Sequence, residues 1–521
     1  MPRILPHKVI FVPYCQYNIT MKKFILSKKS KILSAALLVF VVAIVLTIGL
    51  LHVRSDDEQE NSHYQMTLSY DAQTHQLSGQ MVATFFNSYD NMFTSLQMHL
   101  YPNAFRQGAT ASVVSSNNYD KAYPNGESFG NIEIASVTKD GSPLSFEVEG
   151  SDQNILRIDL GQELYPDEKI SFSVDFTTTL ANINHRLGYG ENTINFGNFY
   201  PIFAVYESGK GFSTSLYHSN GDPFYSECAD YDVTISYPSS MQIASSGNFI
   251  SSTERGDTTS SQFSGKNIRD FCFVLSSKFS HASTKVGSTI VNYYGYTSDK
   301  DIDKNLQTAK DAMQTFNKLF GDYPYQQVSV VKSNFVHGGM EYPNLVLISD
   351  DLDAADIGYV IIHELAHQWW YGVVGNDEYN HAWLDEGLTE FSTLLFYKEN
   401  PSYGNDFDQM IDATQQSYKT FVRAYTSVQG SVDTSMERAL CDFATEPEYV
   451  QCTYVKGVLM FNSVYETVGQ RKFLKALRDY YEDFAFKNAT PADMIASFSH
   501  STGYDLEGYF NSFLSGDVII Q

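Results

Sequence analysis

The sequence predicts an α+β multidomain protein, in which an antiparallel β domain precedes an α/β-to-helical domain and one transmembrane helix precedes both. Three observations predict this order. A charge-free apolar run fills residues 32–51, period-two alternation of apolar and polar residues dominates residues 63–283, and amphipathic helical patterns dominate residues 284–521. At 521 residues the chain is long enough for more than one buried core.

The apolar run at residues 32–51 is long enough to cross a bilayer as a helix. Lysines precede it, whereas acidic residues follow in a polar tether at residues 52–62. The positive-inside rule therefore predicts that residues 1–31 are a cytoplasmic tail and that the later domains are extracellular, at the cell membrane. Met21 begins a natural-looking N-terminal sequence and is the expected start. A cleaved signal peptide is the open alternative, although no small-residue cleavage site follows the run.

The charge distribution excludes one class of partner. The formal net charge is −25, and the first 54 residues hold eight Lys or Arg and no Asp or Glu, so the rest of the chain is more acidic still. Nucleic-acid binding needs a basic surface, which this composition does not offer. We interpret the acidity as a solvated surface that keeps an extracellular body soluble.

Residues 63–283 contain many short segments that alternate apolar and polar residues, separated by Asn, Asp, Gly, Ser and Pro turns. This spacing is typical of sheets packed on one another. The region shows no cluster of titratable residues that looks catalytic, so we expect it to form a wall of the site.

After residue 284 the pattern changes to strands alternating with helices. An amphipathic helix is predicted to end at Gly321, and two strands flank the loop HGGMEYP, which begins at His337. Cys441 and Cys452 are close in sequence, and both a disulfide and two free thiols are compatible with the sequence.

The chemistry is concentrated in HELAHQWWYGVVGNDEYNHAWLDEG, which runs from His363 to Gly387. His363 and His367 are four residues apart, so on a helix they project from one face and can bind one ion. Glu386 follows after a turn, at the start of a second predicted helix. Two imidazoles and one carboxylate are the ligands of a catalytic zinc site, so one Zn²⁺ is the expected cofactor.

Four motifs occur in a characteristic order: GGMEYP, HELAHQWW, WLDEG and YVKG. In this combination they resemble the aminopeptidase N family of gluzincin metallopeptidases. The resemblance implies a thermolysin-like catalytic domain over residues 284–521 and peptide substrates that have a free N-terminus. Glu364 is then the general base, which takes a proton from the attacking water and passes it to the leaving amine.

The resemblance also implies roles for residues outside the HELAH helix. Glu341 would bind the α-amino group of the substrate, with Gly338, Gly339 and Met340 forming the adjoining backbone. Tyr454 would donate a hydrogen bond to the oxyanion of the intermediate. The family commonly has Asn where this chain has Tyr342, which leaves the side-chain preference open.

Several residues near these motifs have more than one interpretation. Glu390 could accept a hydrogen bond from a ligand histidine, but a solvent-facing position is the preferred prediction. Tyr449 is expected to pack, and the three tryptophans are expected in the core: Trp369, Trp370 and Trp383.

The sequence therefore predicts a membrane-anchored zinc aminopeptidase. Two rivals remain: an endopeptidase or non-peptide hydrolase that uses the same zinc chemistry, and a catalytically silent surface protein. The family's segment rich in Gln, Arg and Asp-Glu-Pro is absent near GNFYP at residues 197–201, so the first side-chain pocket is unassigned. Many relatives continue with a long helical domain, and the residues after Tyr454 are too few for one, so we expect an open cleft.

Overall fold

The computed structural model describes residues 60–518. The predicted tail, the predicted membrane span at residues 32–51 and most of the tether lie outside the described residues. Within residues 60–518, no helix is both long enough and apolar enough to cross a membrane.

The described part of the chain contains strands in its first two thirds and helices mainly in its last third. The strands are β1 (Ser62–Asp71), β2 (Gln76–Phe86), β3 (Phe93–His99), β4 (Asn131–Lys139), β5 (Ser142–Pro143), β6 (Phe146–Glu149), β7 (Ile155–Leu164), β8 (Lys169–Thr179), β9 (Leu187–Tyr189), β10 (Ile194–Phe196), β11 (Ile202–Phe203), β12 (Tyr206–Glu207), β13 (Gly211–Phe212), β14 (Ala229–Pro238), β15 (Gln242–Ser245), β16 (Asn248–Arg255), β17 (Thr258–Ile268), β18 (Phe273–Ser276), β19 (Phe279–Val286), β20 (Thr289–Tyr296), β21 (Gln327–Ser333), β22 (Gly339–Met340) and β23 (Leu345–Ser349). The helices are α1 (Tyr119–Ala122), α2 (Ile302–Phe320), α3 (Ile357–Ala366), α4 (Glu378–His381), α5 (Glu386–Glu399), α6 (Phe407–Gln429), α7 (Glu446–Val450), α8 (Lys456–Val468), α9 (Gln470–Phe484), α10 (Pro491–Thr502) and α11 (Glu507–Leu514).

The largest sheet has eight strands in the order β16-β17-β14-β1-β2-β8-β4-β5. In β1, buried residues such as Met66 and Leu68 alternate with exposed ones, as the period-two pattern predicts. The antiparallel prediction is wrong at one place, because β1 and β14 pair in parallel. A long stretch of chain separates β14 from β1. Such a long connection allows two strands to pair in parallel, whereas a hairpin allows only antiparallel pairing.

Two four-stranded sheets, in the orders β15-β18-β10-β9 and β11-β3-β7-β6, and a two-stranded sheet of β12 and β13 complete the β domain. Aromatic residues fill much of the space between the sheets. The hydroxyls of Tyr200 and Tyr231 are hydrogen-bonded at 2.9 Å inside this core, so the buried phenols are satisfied.

The second domain is built on a mixed sheet in the order β19-β20-β21-β23-β22. Its two central pairings are parallel, whereas β19 and β22 join the edges in antiparallel. The predicted boundary between residues 283 and 284 falls inside β19. Edge strand β22 holds Gly339 and Met340, which places the GGMEYP motif beside α3.

Helices pack on this sheet and continue to the end of the described chain. Helix α2 ends at Phe320, and the next residue, Gly321, has φ 131°, so the predicted glycine stop is confirmed. Trp369, Trp370 and Trp383 are each at most 1% exposed and lie in the core of this domain, as predicted.

The four cysteines of the described residues are all free thiols. Cys441 is exposed and Cys452 is buried, and the two are not bridged. Of the two alternatives that the sequence left open, the structure therefore has the free thiols.

Candidate metal centre and active site

Three predicted metal ligands converge at one point. His363 lies in the last turn of α3, His367 directly follows that helix, and Glu386 is the first residue of α5. His367 Nε2 is 3.2 Å from His363 Nε2 and 3.1 Å from Glu386 Oε2, and His363 Nε2 is 3.5 Å from the same oxygen. All three side chains are buried. The structure therefore brings together the three donors that the sequence predicted.

The spacing of these donor atoms fits a zinc ion. Ligands bound tetrahedrally at about 2.0–2.1 Å lie roughly 3.3–3.4 Å from one another. The three observed separations, 3.1, 3.2 and 3.5 Å, bracket that value. Two imidazoles and one carboxylate also leave one tetrahedral position free, which is typical of catalytic sites. His363, His367 and Glu386 could thus hold one zinc ion.

The histidine rings are oriented through their other nitrogens. His367 Nδ1 lies 3.0 Å from the carbonyl oxygen of Trp370, so this nitrogen carries the proton and Nε2 keeps its lone pair for a metal. His363 Nδ1 lies 2.8 Å from Glu390 Oε2. The preferred prediction that Glu390 faces solvent is therefore wrong. Its carboxylate also accepts a hydrogen bond from Tyr359, which holds it between two helices.

The carboxylates around the donors shift the pKa values of both histidines. Burial alone would lower the pKa of His363, but Glu386 and Glu390 raise it well above its ordinary value. Burial likewise disfavours charged His367, yet Glu341 and Glu386 raise its pKa to about 10. Burial would raise the pKa of Glu386, but the two histidines lower it to about 2. Without a metal, the buried carboxylates therefore favour protonation of this pair of histidines.

Glu364 lies between the metal donors and strand β22. It is 5% exposed, and its Oε2 atom has no hydrogen-bond partner within residues 60–518. A Cβ atom on Gly339 would lie 2.2 Å from Glu364 Oε1, so this motif position must be glycine for the two to coexist. Burial raises the pKa of Glu364 to about 7. A carboxyl group with that pKa can both accept and release a proton near neutral pH.

Glu341 follows β22 and points into the same cavity. It is 3% exposed, and its Oε1 atom also has no hydrogen-bond partner in the described chain. Burial raises its pKa well above the ordinary value, and the neighbouring carboxylate of Asp222 adds to this effect. A buried carboxyl group without a partner is costly unless a ligand pairs with it. Of its predicted neighbours, Gly338 lines the cavity, whereas Met340 is buried in β22.

Tyr454 reaches the centre from a turn of π-helix at Gln451–Val455. Its hydroxyl donates a hydrogen bond to Glu386 Oε1. Burial raises the pKa of Tyr454 well above its ordinary value, so the phenol stays protonated and remains a donor. Tyr449 packs edge-on against it at 5.7 Å and is 3% exposed, in agreement with its predicted packing role.

Two cavity residues, Asp222 and Arg186, were not predicted from the sequence, because the β domain shows no sequence cluster of titratable residues that looks catalytic. Oxygens of Asp222, Glu341 and Glu386 lie within 4.8 Å of one another. Arg186 donates a hydrogen bond to Asp222 and stacks over the Phe224 ring at 5.1 Å. No motif marks Asp222, because it lies in the irregular segment between β13 and β14 and only the fold brings it to the centre.

Tyr342 and the GNFYP segment connect the two domains. Tyr342 is fully buried, and its hydroxyl donates a hydrogen bond of 2.6 Å to Asn198 Oδ1. A Cβ atom on Gly197 would lie 2.0 Å from that hydroxyl. Tyr342 is therefore a packing residue behind the loop that holds Glu341, and neither it nor GNFYP lines the cavity.

The candidate site is a cavity of about 300 Å³ between the β domain and the helices. Glu341, Glu364, the metal donors and Tyr454 all line it, and so do Arg186 and Asp222. The Peptidase family M1 domain matches residues 304–513 of this chain.

The part of the chain that forms the metal site is thus similar to the M1 peptidases. The match contains every site residue that the sequence predicted, from Gly338 to Tyr454, whereas Asp222 and Arg186 lie outside it. The resemblance to the aminopeptidase N family is thereby confirmed.

Several curated aminopeptidases are similar to parts of this chain. Aminopeptidase M1-B of Oryza sativa subsp. japonica is 21% identical over 397 residues, which cover 71% of this chain and 44% of the relative. Aminopeptidase B of Rattus norvegicus is 28% identical over 199 residues, covering 36% of this chain and 29% of the relative. The chain thus spans less than half the length of these relatives.

A solved M1 zinc metallopeptidase from Deinococcus radiodurans has a similar fold. It is 17% identical, the superposition covers 89% of this chain and 96% of that chain, and the TM-score is 0.63. The likeness shows a two-domain M1 fold, with an N-terminal β domain and a C-terminal helical domain.

Proposed function

We propose that this chain is a zinc-dependent aminopeptidase, which removes the first residue of peptides. One observation carries the proposal: the buried, unpartnered carboxyl group of Glu341 faces the same small cavity as the three metal donors. An ammonium group is the natural partner of such a carboxylate. A peptide held by its α-amino group at Glu341 would present its first peptide bond to the metal site.

Asp222 supports the recognition of the amine. Its carboxylate lies within 4.8 Å of the Glu341 and Glu386 oxygens, so two acidic groups from different domains can contact one ammonium group. The hydrogen bond from Arg186 holds Asp222 in place without occupying Glu341. The curated relatives described above are named aminopeptidases, which agrees with this exopeptidase arrangement.

The metal site would make the scissile carbonyl group more electrophilic. His363, His367 and Glu386 would hold the zinc ion, which provides Lewis acidity that acidifies water and polarises the scissile carbonyl group. Glu364 would take a proton from the attacking water and pass it to the leaving amine, a transfer that suits its pKa of about 7.

Tyr454 would stabilise the developing oxyanion. In the free protein its hydroxyl is hydrogen-bonded to Glu386, next to the metal donors. A small movement of the phenol would let it donate to the substrate oxygen instead. Because the hydroxyl carries no charge, it adds a hydrogen bond without repelling the metal ion.

Comparing free and N-acetylated forms of the same peptides tests this function. The full-length chain, loaded with zinc, is expected to cleave the free peptides and to leave the acetylated ones intact, because acetylation removes the charge that Glu341 pairs with. Glu364→Gln is the matched inactive control, since it keeps the shape of the side chain. Equal cleavage of both peptide forms would instead indicate an endopeptidase. No hydrolysis of any peptide or ester would favour a silent binding protein.

We further propose that the protein is anchored in the cell membrane by residues 32–51, with its catalytic domain outside the cell. The charge asymmetry on the two sides of that run supports this orientation. Protease treatment of intact cells is expected to remove a C-terminal tag and to spare an N-terminal one. Protection of the C-terminal tag would contradict the proposed topology.

A further inference from the structure

Five residues form a distinct part of the cavity wall, which we call the side-chain wall: Val113, Tyr217, His337, Glu446 and Val450. Two of them contact the ring of buried His185, which lies 5.6 Å from the His337 ring and 6.5 Å from the Tyr217 ring. The wall is therefore a packed unit of the β domain and the GGMEYP loop.

Short helix α7 closes the side-chain wall from the opposite domain. Glu446 and Val450 are four residues apart in α7, so they share one face of the helix. Asn118 lies in the same loop as Val113, and its Nδ2 atom is 3.4 Å from Glu446 Oε1. This contact joins the two halves of the wall across the cavity.

Glu446 is the charged residue of this wall, and it makes no ion pair within residues 60–518. Its one polar contact there is the neutral amide of Asn118. His337 does not compensate the charge, because burial lowers the pKa of that ring to about 4 and leaves it neutral at pH 7. The guanidinium of Arg186 is already bound by Asp222. The Glu446 carboxylate is thus free to pair with a ligand.

The other carboxylates of the cavity already have a partner or a role. Glu386 is a metal donor, Glu364 is the proposed base, and Glu341 faces the substrate amine. Glu390 contacts His363 Nδ1 at 2.8 Å. Glu446 alone remains without an assignment among these acidic residues.

We propose that Glu446 makes the enzyme prefer peptides whose first residue is arginine or lysine, an inference that rests on the function proposed above. The wall lies next to the amine site, because only Gly338, Gly339 and Met340 separate His337 from Glu341. The first side chain branches from the carbon that carries the amine, so it is the side chain that meets this wall.

The wall matches the two parts of a long basic side chain. Val113, Val450 and the Tyr217 ring offer apolar surface to the methylene stem. Glu446 offers a carboxylate to the cationic head, and such charge-assisted hydrogen bonds are stronger than neutral ones. An uncharged side chain of the same length would use the apolar surface but would leave Glu446 without a partner.

The test measures a ratio of specificities. In the full-length zinc enzyme, kcat/KM is determined for reporters that begin with arginine, lysine, norleucine or leucine. Glu446→Gln is expected to lower the arginine-to-norleucine ratio by about tenfold or more, as loss of a charged hydrogen bond implies. Glu446→Asp keeps the charge and is expected to retain part of the preference, which guards against a misfolded Gln variant.

Glu507→Gln is the matched control, because Glu507 is also the first residue of a short helix but lies outside the cavity. It is expected to leave the ratio unchanged, whereas an equal fall would show that the ratio does not depend specifically on Glu446 and would overturn the proposal. No preference in the wild type, or an unchanged ratio in Glu446→Gln, would overturn the proposal and leave the aminopeptidase function standing.

A binding measurement separates this proposal from the proposed function. Argininamide and norleucinamide both carry a free α-amino group, and calorimetry compares their affinities for the zinc-loaded chain. Tighter binding of argininamide, lost in Glu446→Gln, supports the role of Glu446 even if no reporter is hydrolysed. Equal affinities would contradict it.

Discussion

Gly457 packs directly against Gly387: a Cβ atom on Gly457 would lie 2.6 Å from the Cα atom of Gly387. The first glycine belongs to the YVKG motif at the start of α8, and the second belongs to WLDEG at the start of α5. Because neither has a side chain, the two helices approach closely, and Tyr454 reaches Glu386 from the π-helical turn just before α8.

Replacing Gly457 by alanine should therefore displace Tyr454. We expect Gly457→Ala to lower kcat by about tenfold to a hundredfold, because a shift of roughly 1 Å in a catalytic group has effects of this size. KM should change little, since Glu341 and Asp222 are untouched. Steady-state kinetics and zinc content are measured together, and zinc content should be unchanged.

A second substitution shows whether the glycine acts through Tyr454. In a Tyr454→Phe background, which removes the donor hydroxyl, Gly457→Ala should have little additional effect on kcat. Gly358→Ala is the control, because an added Cβ at that helical position would meet no atom within 4 Å. Full additivity of the two substitutions would contradict the positioning role.

Zinc binding should release protons. The neighbouring carboxylates raise the pKa of His367 to about 10 and that of His363 well above its ordinary value, so the metal-free site holds protons at pH 7 that a metal must displace. Because metal ligation requires neutral imidazoles, protons should leave on binding, and affinity should fall as the pH falls. Calorimetry of the chelated protein in two buffers of different ionisation enthalpy measures the number of protons released.

Glu390→Gln provides the matched comparison for proton release. The carboxylate of Glu390 is one of the groups that raise the pKa of His363, so its removal should reduce the number of protons released at pH 7. Release of no protons by the wild type at pH 7 would show that the metal-free site is already neutral.

Acid should destabilise the β domain through His99. This residue ends β3, is 2% exposed and stacks on Tyr101 at 4.7 Å, and burial lowers its pKa to about 4. In the unfolded chain a histidine has a pKa of about 6.5. Between pH 6.5 and pH 4, this histidine binds a proton in the unfolded state but not in the native state. The free energy of unfolding therefore falls as the pH drops through this range.

Replacing His99 by phenylalanine should reduce this acid sensitivity. The pKa difference at His99 should lower the free energy of unfolding by on the order of 2 kcal/mol between pH 7 and pH 5. His99→Phe should remove this loss and keep a ring stacked on Tyr101. Urea unfolding at both pH values measures the difference. An equal loss of stability in the wild type and the variant would contradict the assignment to His99.

Local patterns in the sequence were enough to predict the metal centre, and long-range packing was needed for the rest. The spacing of His363 and His367 defines one helix face, and Glu386 begins the second helix as expected. Helical spacing alone does not reveal which side of α5 meets α3, so Glu390 was misplaced. The parallel pairing of β1 with β14 likewise depends on a connection of more than a hundred residues.

Asp222 is a site residue that no local sequence pattern could indicate, and its charge should affect how tightly the substrate amine binds. Asp222→Asn keeps a hydrogen-bond acceptor for Arg186 but removes the negative charge near the Glu341 carboxylate. We expect KM for free peptides to rise about tenfold, as loss of one charge-assisted contact implies, with a smaller change in kcat. Because the charge of Asp222 would act on the substrate ammonium group, the substitution should weaken inhibition by competitors that carry an amine. Inhibition by competitors without an amine should not weaken to the same extent. Equal weakening of amine-bearing and amine-free competitors would show that Asp222 only shapes the cavity.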